Sequence, residues 1–326
     1  MGAQEEDEDI PAVARPDPAE LRFDLDAALA SVITLRAEVP ADAFTAPVLG
    51  TERRGNGVMI RPDGLVLTIG YLITEAERIW LSTASGAAAP GHVVAYDQAT
   101  GFGLVQALGR LPANALPLGS ADAVEPGTGI VIAGGHGRRD ALSARLMAKR
   151  PFAGYWEYFL EAALFSAPAH PRWGGAACIG PDGSLIGVGS LLVQEVVREG
   201  ESMVGNMVVP IDLLPPILDD LLRYGRVDRP PRPWLGLFAA DAAEGVIVTG
   251  TAPEGPAAQA GIASGDIVTA VAGQEIDDLG DLWRKLWAVG DAGVAVQLTV
   301  TRNGRRLDRT CRTVDRSSFL KRPMLH

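Results

Sequence analysis

The side chains that could hold a metal or form a covalent intermediate are few in this sequence and lie far apart. The 326 residues include four histidines and two cysteines, and the histidines are spaced too irregularly for a sequence-local zinc motif. Cys178 and Cys311 supply neither a disulfide framework nor a four-thiolate zinc site. We therefore predict no metal centre and no cofactor, with a site assembled in three dimensions from His136 and His170 as the alternative.

A serine hydroxyl activated by an imidazole is the other chemistry that these residue types allow. Proteolysis of this kind also needs a carboxylate, which holds the imidazole in one tautomer. The available hydroxyls and imidazoles are Ser166, Ser184, Ser190, His92, His136 and His170. The default expectation for each of them is a surface or hydrogen-bonded polar group.

The elements that must position such residues are mostly short strands. Apolar or alternating runs recur between residues 31 and 209, and turn signals such as RPDG at 61–64 and GPDG at 180–183 separate neighbouring runs. Many short strands at close spacing predict a closed or sandwiched all-β domain. A helix ending near Gly225 follows this domain, with Asp212 as its expected N-cap.

A proline-rich segment, RPPRP at 229–233, is a stiff linker and a natural domain boundary. Beyond it the pattern changes to short strands with two helices, over 256–260 and 278–288, which predicts a small α+β module. We place an acidic, disordered tail at 1–26, the β domain at 27–227, the linker at 228–233, the α+β module at 234–315 and a C-terminal tail at 316–326.

Composition removes several classes of partner. The net charge of −11 argues against nucleic acid as the main partner. No apolar run approaches the roughly 18 residues that a membrane span needs. The acidic run at residues 5–9 differs from the basic start of a secretory signal peptide. This predicts a cytoplasmic protein as the sequence is written, or a periplasmic one if a leader has been removed.

Three segments of the β domain, in order, resemble the HtrA/Deg family of trypsin-like serine proteases. They are GNGVMIRPDGLVLT at 55–68, DQATGFGLV at 97–105, and PRWGG at 171–175 with PDGSLIGV at 181–188. The resemblance implies a trypsin-like double β-barrel. It also implies a degenerate triad, because Tyr71 stands where the family has its histidine, Gly101 where it has the aspartate and Gly174 where it has the serine. A phenol with a pKa of about 10 is no general base at neutral pH, and glycine has no hydroxyl.

The residues before the former nucleophile also depart from the family pattern. Arg172 stands where the family has glycine, and Trp173 stands where it has asparagine. Arg172 and Gly174 keep the backbone N–H groups that an oxyanion hole uses. The resemblance therefore implies a remodelled oxyanion region at Arg172, Trp173 and Gly174, in which the indole fills part of the cleft.

The α+β module resembles the PDZ domain of the same family, through GVIV at 245–248, PAAQAGI at 256–262, GDIV at 265–268 and VAGQ at 271–274. In such domains a peptide C-terminus adds to a sheet edge, and its carboxylate binds the N–H groups of a short loop. The predicted peptide-binding residues are Leu235, Gly236, Leu237, Leu282 and Leu286. Because the chain's own last residue, His326, is a poor match for an apolar pocket, we expect this groove to be open to other proteins.

Together these features predict a mainly β HtrA-like pseudoprotease with one PDZ domain. We expect it to bind C-terminal or unfolded peptide segments and to act as a scaffold, a chaperone-like protein or a regulator. The resemblance further implies a homotrimer, or a hetero-oligomer with an active relative. Two alternatives stay open: a serine-type endopeptidase with a non-standard nucleophile, and metal or small-ligand binding in the vacated cleft.

Overall fold

The chain folds into two compact units in a computed structural model, and each unit is described by itself. The structure describes residues 9–198 and 201–321. The first unit comprises the described residues up to Arg150, Ala162–Val227 and Lys321. The second unit comprises Pro151–Glu161 and Asp228–Leu320. Across the described residues, no helix combines the length and the apolar character of a membrane span.

The first unit begins with a closed antiparallel barrel. Its strands are β1 (Val32–Glu38), β2 (Glu52–Met59), β3 (Leu65–Ile69), β4 (Arg78–Thr83), β5 (Ala88–Tyr96) and β6 (Phe102–Ala107). They close in the order β1-β2-β3-β6-β5-β4. The short helices of this region are α1 (Leu25–Leu29), α2 (Ala46–Leu49) and α3 (Gly70–Ile73). Helix α3, a single turn directly after β3, carries the first of the expected site residues.

A second closed barrel follows in the same unit. Its strands are β7 (Gly129–Ala133), β8 (Ala141–Gly154), β9 (Tyr158–Ala167), β10 (Ala177–Ile179), β11 (Leu185–Arg198) and β12 (Glu201–Pro210). They close in the order β10-β11-β12-β9-β8-β7. The two barrels confirm the predicted mainly β, trypsin-like double barrel.

Helix α4 (Pro215–Tyr224) follows the second barrel and is the last helix of the first unit among the described residues. The expected N-cap, Asp212, is wrong, because this residue lies in a 3-10 turn before the helix. Its carboxylate instead accepts hydrogen bonds from the Ser120 hydroxyl (2.6 Å) and the Ala121 amide (2.7 Å). Gly225 caps the other end in a left-handed conformation, as the sequence predicts.

The second unit is a six-stranded sheet with two helices. Its strands are β13 (Leu237–Ala242), β14 (Gly245–Thr251), β15 (Ile267–Val271), β16 (Gln274–Glu275), β17 (Ala295–Arg302) and β18 (Arg305–Arg312). The order is β13-β14-β15-β17-β18, and β16 pairs with β15. The helices are α5 (Pro256–Gln259) and α6 (Leu279–Ala288). The tip of the β8–β9 hairpin, residues 151–161, is part of this unit.

Both predicted tails contain ordered structure. In the first, Ile10 is buried, and its amide donates to the carbonyl of Arg139 (2.9 Å). Asp17 and Asp24 cap the turn and helix that follow. The prediction of disorder at 1–26 is therefore wrong for residues 9–26, and residues 1–8 lie outside the described residues. In the second tail, Arg316–Phe319 form a 3-10 turn.

Candidate functional site

Tyr71 and Gly174, which the family resemblance marks as former catalytic positions, lie side by side. Tyr71 is in α3, and its hydroxyl donates a hydrogen bond to the carbonyl of Ser190 (2.8 Å). A Cβ built on Gly174 would lie 2.9 Å from this hydroxyl, which is closer than real Cβ contacts. The phenol therefore occupies the space that a side chain at residue 174 needs. Burial raises the pKa of Tyr71 well above its ordinary value, so the phenol stays protonated at neutral pH.

Gly101, the third marked position, lies against the start of α3. Its carbonyl accepts a hydrogen bond from the Gly70 amide (2.7 Å). Its backbone is left-handed, with a φ of +82°, a region that residues with a side chain adopt rarely. Nearby Asp97 is already engaged, because its carboxylate accepts from the amide and the hydroxyl of Thr100 (2.8 Å each). The three marked positions thus contribute one phenol and two glycines.

The loop at 171–175 is fastened to β2 of the first barrel. Asn56 donates its backbone amide to the carbonyl of Gly174 (2.8 Å) and its side-chain amide to the carbonyl of Arg172 (2.9 Å). Gly175 has a φ of +75°, and a Cβ there would overlap the backbone carbonyl of Asn56. The amide of Arg172, one of the expected oxyanion donors, donates to Nδ1 of His170 (3.1 Å). That donor is therefore used within the loop.

The residues predicted to bind a peptide come together in the second unit. The leucines that share one fully buried apolar cluster are Leu235, Leu237, Leu282 and Leu286. Gly236 lies between the first two in a left-handed conformation, with a φ of +71°. The amides of Leu235 and Leu237 both donate to the Glu157 carboxylate, at 3.1 and 2.8 Å. The expectation of an open groove is thus wrong, because a side chain from the β8–β9 turn fills the carboxylate loop.

Sequence reasoning missed Glu157. Glu157 is only 3% exposed. Burial raises the pKa of its carboxyl to about 7, although the hydrogen bonds from the loop amides and the charge of Arg316 act to lower that pKa. One signal could have revealed the site: FAGYWEYF at 152–159 holds five of the chain's 19 aromatic residues. Large aromatic side chains are rarely clustered in a turn that is surrounded by solvent, so this density indicates that the segment packs against other residues.

Comparison with known proteins accounts for both units. Residues 55–188 match the model of the trypsin-like peptidase domain, and residues 233–312 match that of the PDZ domain. The chain is a homologue of the HtrA serine proteases. It is 27% identical over 271 residues to a Halomonas elongata protein named "Probable periplasmic serine endoprotease DegP-like", covering 78% of this chain and 55% of the relative. It is 22% identical to "Serine protease Do-like HtrA" of Bacillus subtilis, covering 87% of this chain and 70% of the relative.

Solved structures show the same fold. The HtrA-type protease AlgW with a decapeptide superimposes with a TM-score of 0.51 at 21% identity, covering 93% of this chain and 100% of that one. A serine endoprotease from Yersinia pestis gives a TM-score of 0.50 at 20% identity, covering 91% and 99%. The chain spans about half the length of the DegP-like relatives it matches. These findings confirm the HtrA resemblance.

This HtrA homologue has a buried ion cluster behind the loop at 171–175. The Asp140 carboxylate accepts from Nε of Arg172 (2.8 Å) and lies 3.3 Å from Nε2 of His170 and 3.0 Å from Nδ1 of His136. Burial alone would raise the pKa of Asp140, but its hydrogen bonds to His170 and Arg172 and the positive charge of Arg172 outweigh burial and hold that pKa far below its ordinary value. The ionised carboxylate therefore draws the Arg172 side chain inward.

A replacement active site would need a free imidazole, a set of metal ligands or a serine hydroxyl paired with an imidazole. His170 accepts from a backbone amide at Nδ1 and lies against the backbone carbonyl of Asp140 at Nε2 (3.1 Å), so both ring nitrogens are occupied. Among the described residues, no three potential ligands form a group that could hold a metal. The Ser166 hydroxyl is buried and has no hydrogen-bond partner among the described residues. The Ser184 hydroxyl donates to the Asp182 carboxylate (2.7 Å). Within the described part of the chain, neither hydroxyl is paired with an imidazole.

Proposed function

We propose that this HtrA homologue binds peptides and does not hydrolyse them. The observation that carries the proposal is the contact between Tyr71 and Gly174, where the phenol hydroxyl lies 2.9 Å from the place of a serine Cβ. Serine proteolysis needs a nucleophile, a base and an orienting carboxylate together. A phenol that stays protonated cannot accept a proton, and neither Gly101 nor Gly174 carries an oxygen on a side chain. No hydroxyl is activated at these positions.

The loop at 171–175 supports the same proposal. An oxyanion hole needs preorganised donors that converge on the developing charge. The Arg172 amide is bonded to His170 instead, and its side chain is held by Asp140. Loss of one such donor costs an active protease a factor on the order of 100 to 1,000 in rate. Restoring the three triad side chains alone is therefore not expected to restore normal turnover.

The PDZ domain supports the binding half of the proposal. AlgW, whose structure is similar, was solved with a decapeptide, and we extend peptide binding to this chain. The loop around Gly236 would hold the ligand's carboxylate, and Leu282 and Leu286 of α6 would form the apolar wall. Suitable ligands are C-terminal or unfolded segments with an apolar last residue.

The proposal includes a setting for this activity. The Halomonas relative is named as a periplasmic protein, and we propose the same location for this chain. From the family resemblance we extend assembly as a homotrimer or with an active relative. In that setting a binding-competent but inactive chain would serve as a scaffold, a chaperone-like protein or a regulator.

Casein digestion and labelling by a fluorophosphonate probe test the inactive half on the purified full-length chain. Ser166→Ala and Ser190→Ala are the matched controls. We expect no cleavage above buffer and no label in any of the three proteins. Turnover that one serine substitution abolishes would overturn the proposal in favour of an endopeptidase with a non-standard nucleophile. Stoichiometric metal in the purified protein would overturn it in favour of a metal site in the cleft.

Titration with free-carboxylate peptides tests the binding half. The control is the same peptide with an amidated end, which lacks the charge that the loop amides bind. We expect the free acid to bind more tightly than the amide. Equal binding of both forms, or no binding of either to any variant described below, would overturn the peptide-binding function.

A further inference from the structure

The tip of the β8–β9 hairpin sits in the PDZ domain as a carboxylate-bearing ligand would. The Glu157 side chain accepts from the Leu235 amide through both oxygens, at 3.1 and 3.2 Å, and from the Leu237 amide at 2.8 Å. These amides belong to the loop that receives a peptide's terminal carboxylate in PDZ domains. The glutamate carboxylate has the same acceptor chemistry as a chain terminus.

The backbone of the tip also follows the register of strand addition. The Ala239 amide of β13 donates to the carbonyl of Tyr155 (3.0 Å). Two residues forward on the hairpin, from 155 to 157, correspond to two residues back on the PDZ strand, from 239 to 237. This is the direction of antiparallel pairing. The tip therefore occupies the sheet edge and the carboxylate loop together.

Two further contacts fix the tip against α6. The indole Nε1–H of Trp283 donates to the carbonyl of Gly154 (3.0 Å). Phe159 is buried in the apolar cluster of the PDZ core, with the Arg284 guanidinium 5.1 Å from its ring centre. Glu157 itself adopts a left-handed conformation, with a φ of +59°, which is strained for this residue type. That turn lets the chain continue while its side chain takes the place of a terminus.

We propose that the β8–β9 tip is the PDZ domain's intramolecular ligand, so that a peptide from another protein binds only by displacing Glu157. The inference rests on the proposed peptide-binding function and specifies its regulation. Because the tip is covalently attached, its effective concentration at the loop is high. A free peptide competes with the tip for this loop, so the apparent affinity of the peptide rises when a substitution weakens the binding of the tip. The ligand chemistry follows: a successful competitor supplies a carboxylate and an extended strand.

The test measures peptide affinity and hydrogen exchange on the full-length chain. Glu157→Ala removes the carboxylate, and Glu157→Gln keeps the shape without the charge. The matched control is Glu161→Gln, which neutralises an exposed glutamate in β9, shortly after the turn that holds Glu157. The probe is a peptide with a free carboxylate and an apolar last residue. We expect at least tenfold tighter binding by Glu157→Ala than by wild type, Glu157→Gln or Glu161→Gln, because glutamine keeps an oxygen that can accept from the Leu235 and Leu237 amides.

Hydrogen exchange separates this inference from the proposed function. In the wild type without peptide, the amides of Leu235 and Leu237 should be protected, and Glu157→Ala should lose that protection. In Glu157→Ala, saturating peptide should restore the protection of these two amides. In the wild type, saturating peptide should increase the exchange of the backbone amides at 151–161, because the peptide displaces the tip. Equal affinities of wild type and Glu157→Ala, or a peptide that binds without changing exchange at 151–161, would overturn the intramolecular ligand while leaving peptide binding intact. If no variant binds peptide, the function fails, and loop protection that depends on Glu157 would still identify the tip as a ligand.

Discussion

Tyr71 and Gly174 should behave as an energetically coupled pair. The perturbation is a double-mutant cycle of Gly174→Ser, Tyr71→His and the two together. In the single Gly174→Ser variant the new Cβ meets the phenol hydroxyl at 2.9 Å, so the tyrosine must move. Moving it breaks the hydrogen bond to the carbonyl of Ser190, which is 2.8 Å long.

The size of the coupling follows from these two effects. Overpacking of a buried site costs about 1–3 kcal/mol, and the lost hydrogen bond adds about 1 kcal/mol. Tyr71→His alone loses the same hydrogen bond and leaves a small void. In the double variant the smaller imidazole leaves room for serine, so the clash is absent. The sum of the single effects counts the clash once and the lost hydrogen bond twice, whereas the double variant loses only that one hydrogen bond. We therefore expect the double variant to be about 2–4 kcal/mol more stable than the sum of the single effects predicts.

Urea unfolding of the four full-length proteins measures this coupling. Gly175→Ser is the matched control, because its Cβ would overlap the backbone carbonyl of Asn56 and not the phenol. Tyr71→His should therefore not reduce the loss in the free energy of unfolding that Gly175→Ser causes. Additive effects of Gly174→Ser and Tyr71→His within about 0.5 kcal/mol would refute the contact that carries the proposal of an inactive protease.

Three other outcomes are expected. Gly175→Val should lower the melting temperature, measured by circular dichroism, because positive φ and the contact with Asn56 exclude a branched side chain. Asp140→Asn should destabilise the first unit by about 3–5 kcal/mol in urea, because the Arg172 charge loses its buried partner. The peptide affinity of the wild type should rise about tenfold between pH 6 and 8, and calorimetric titration of Glu157→Gln should show no such rise.

The regular elements were predictable because their patterns are local. The helix predicted at 278–288 is α6, Leu279–Ala288, with Asp278 capping it through the Asp281 amide. The order at 9–26 was not predictable from periodicity, since it depends on one buried side chain, Ile10, and on capping aspartates. The neighbouring acidic run dominates the composition of that segment and hides this signal.

The contacts at the candidate sites were harder to predict than their residues. The resemblance identified Tyr71 and Gly174 one at a time, but their contact depends on α3 and the loop at 171–175 meeting from different barrels. Glu157 lies 78 residues from Leu235, and no spacing rule joins a hairpin turn to a loop so distant in sequence. Only the density of aromatic residues around Glu157 indicated that this segment packs against another part of the chain.

The protonation of Glu157 makes the docked tip sensitive to pH. Its pKa is raised from 4.5 to about 7 when docked, whereas a released, hydrated glutamate titrates near its ordinary value. Between these values the docked form holds a proton that the released form gives up, so docking weakens as the pH rises through 7. The full effect is about 3 kcal/mol, from about 1.4 kcal/mol for each pKa unit.

Two neighbouring groups act on the charge of Glu157 or respond to it. The positive charge of Arg316 favours the ionised form of Glu157. The pKa of the Cys311 thiol is raised to about 11 by burial and by the Glu157 charge, and a peptide's terminal carboxylate stays ionised. The docked carboxyl is thus the group whose charge changes. An affinity rise that persists in Glu157→Gln would show that another group controls the exchange between tip and peptide.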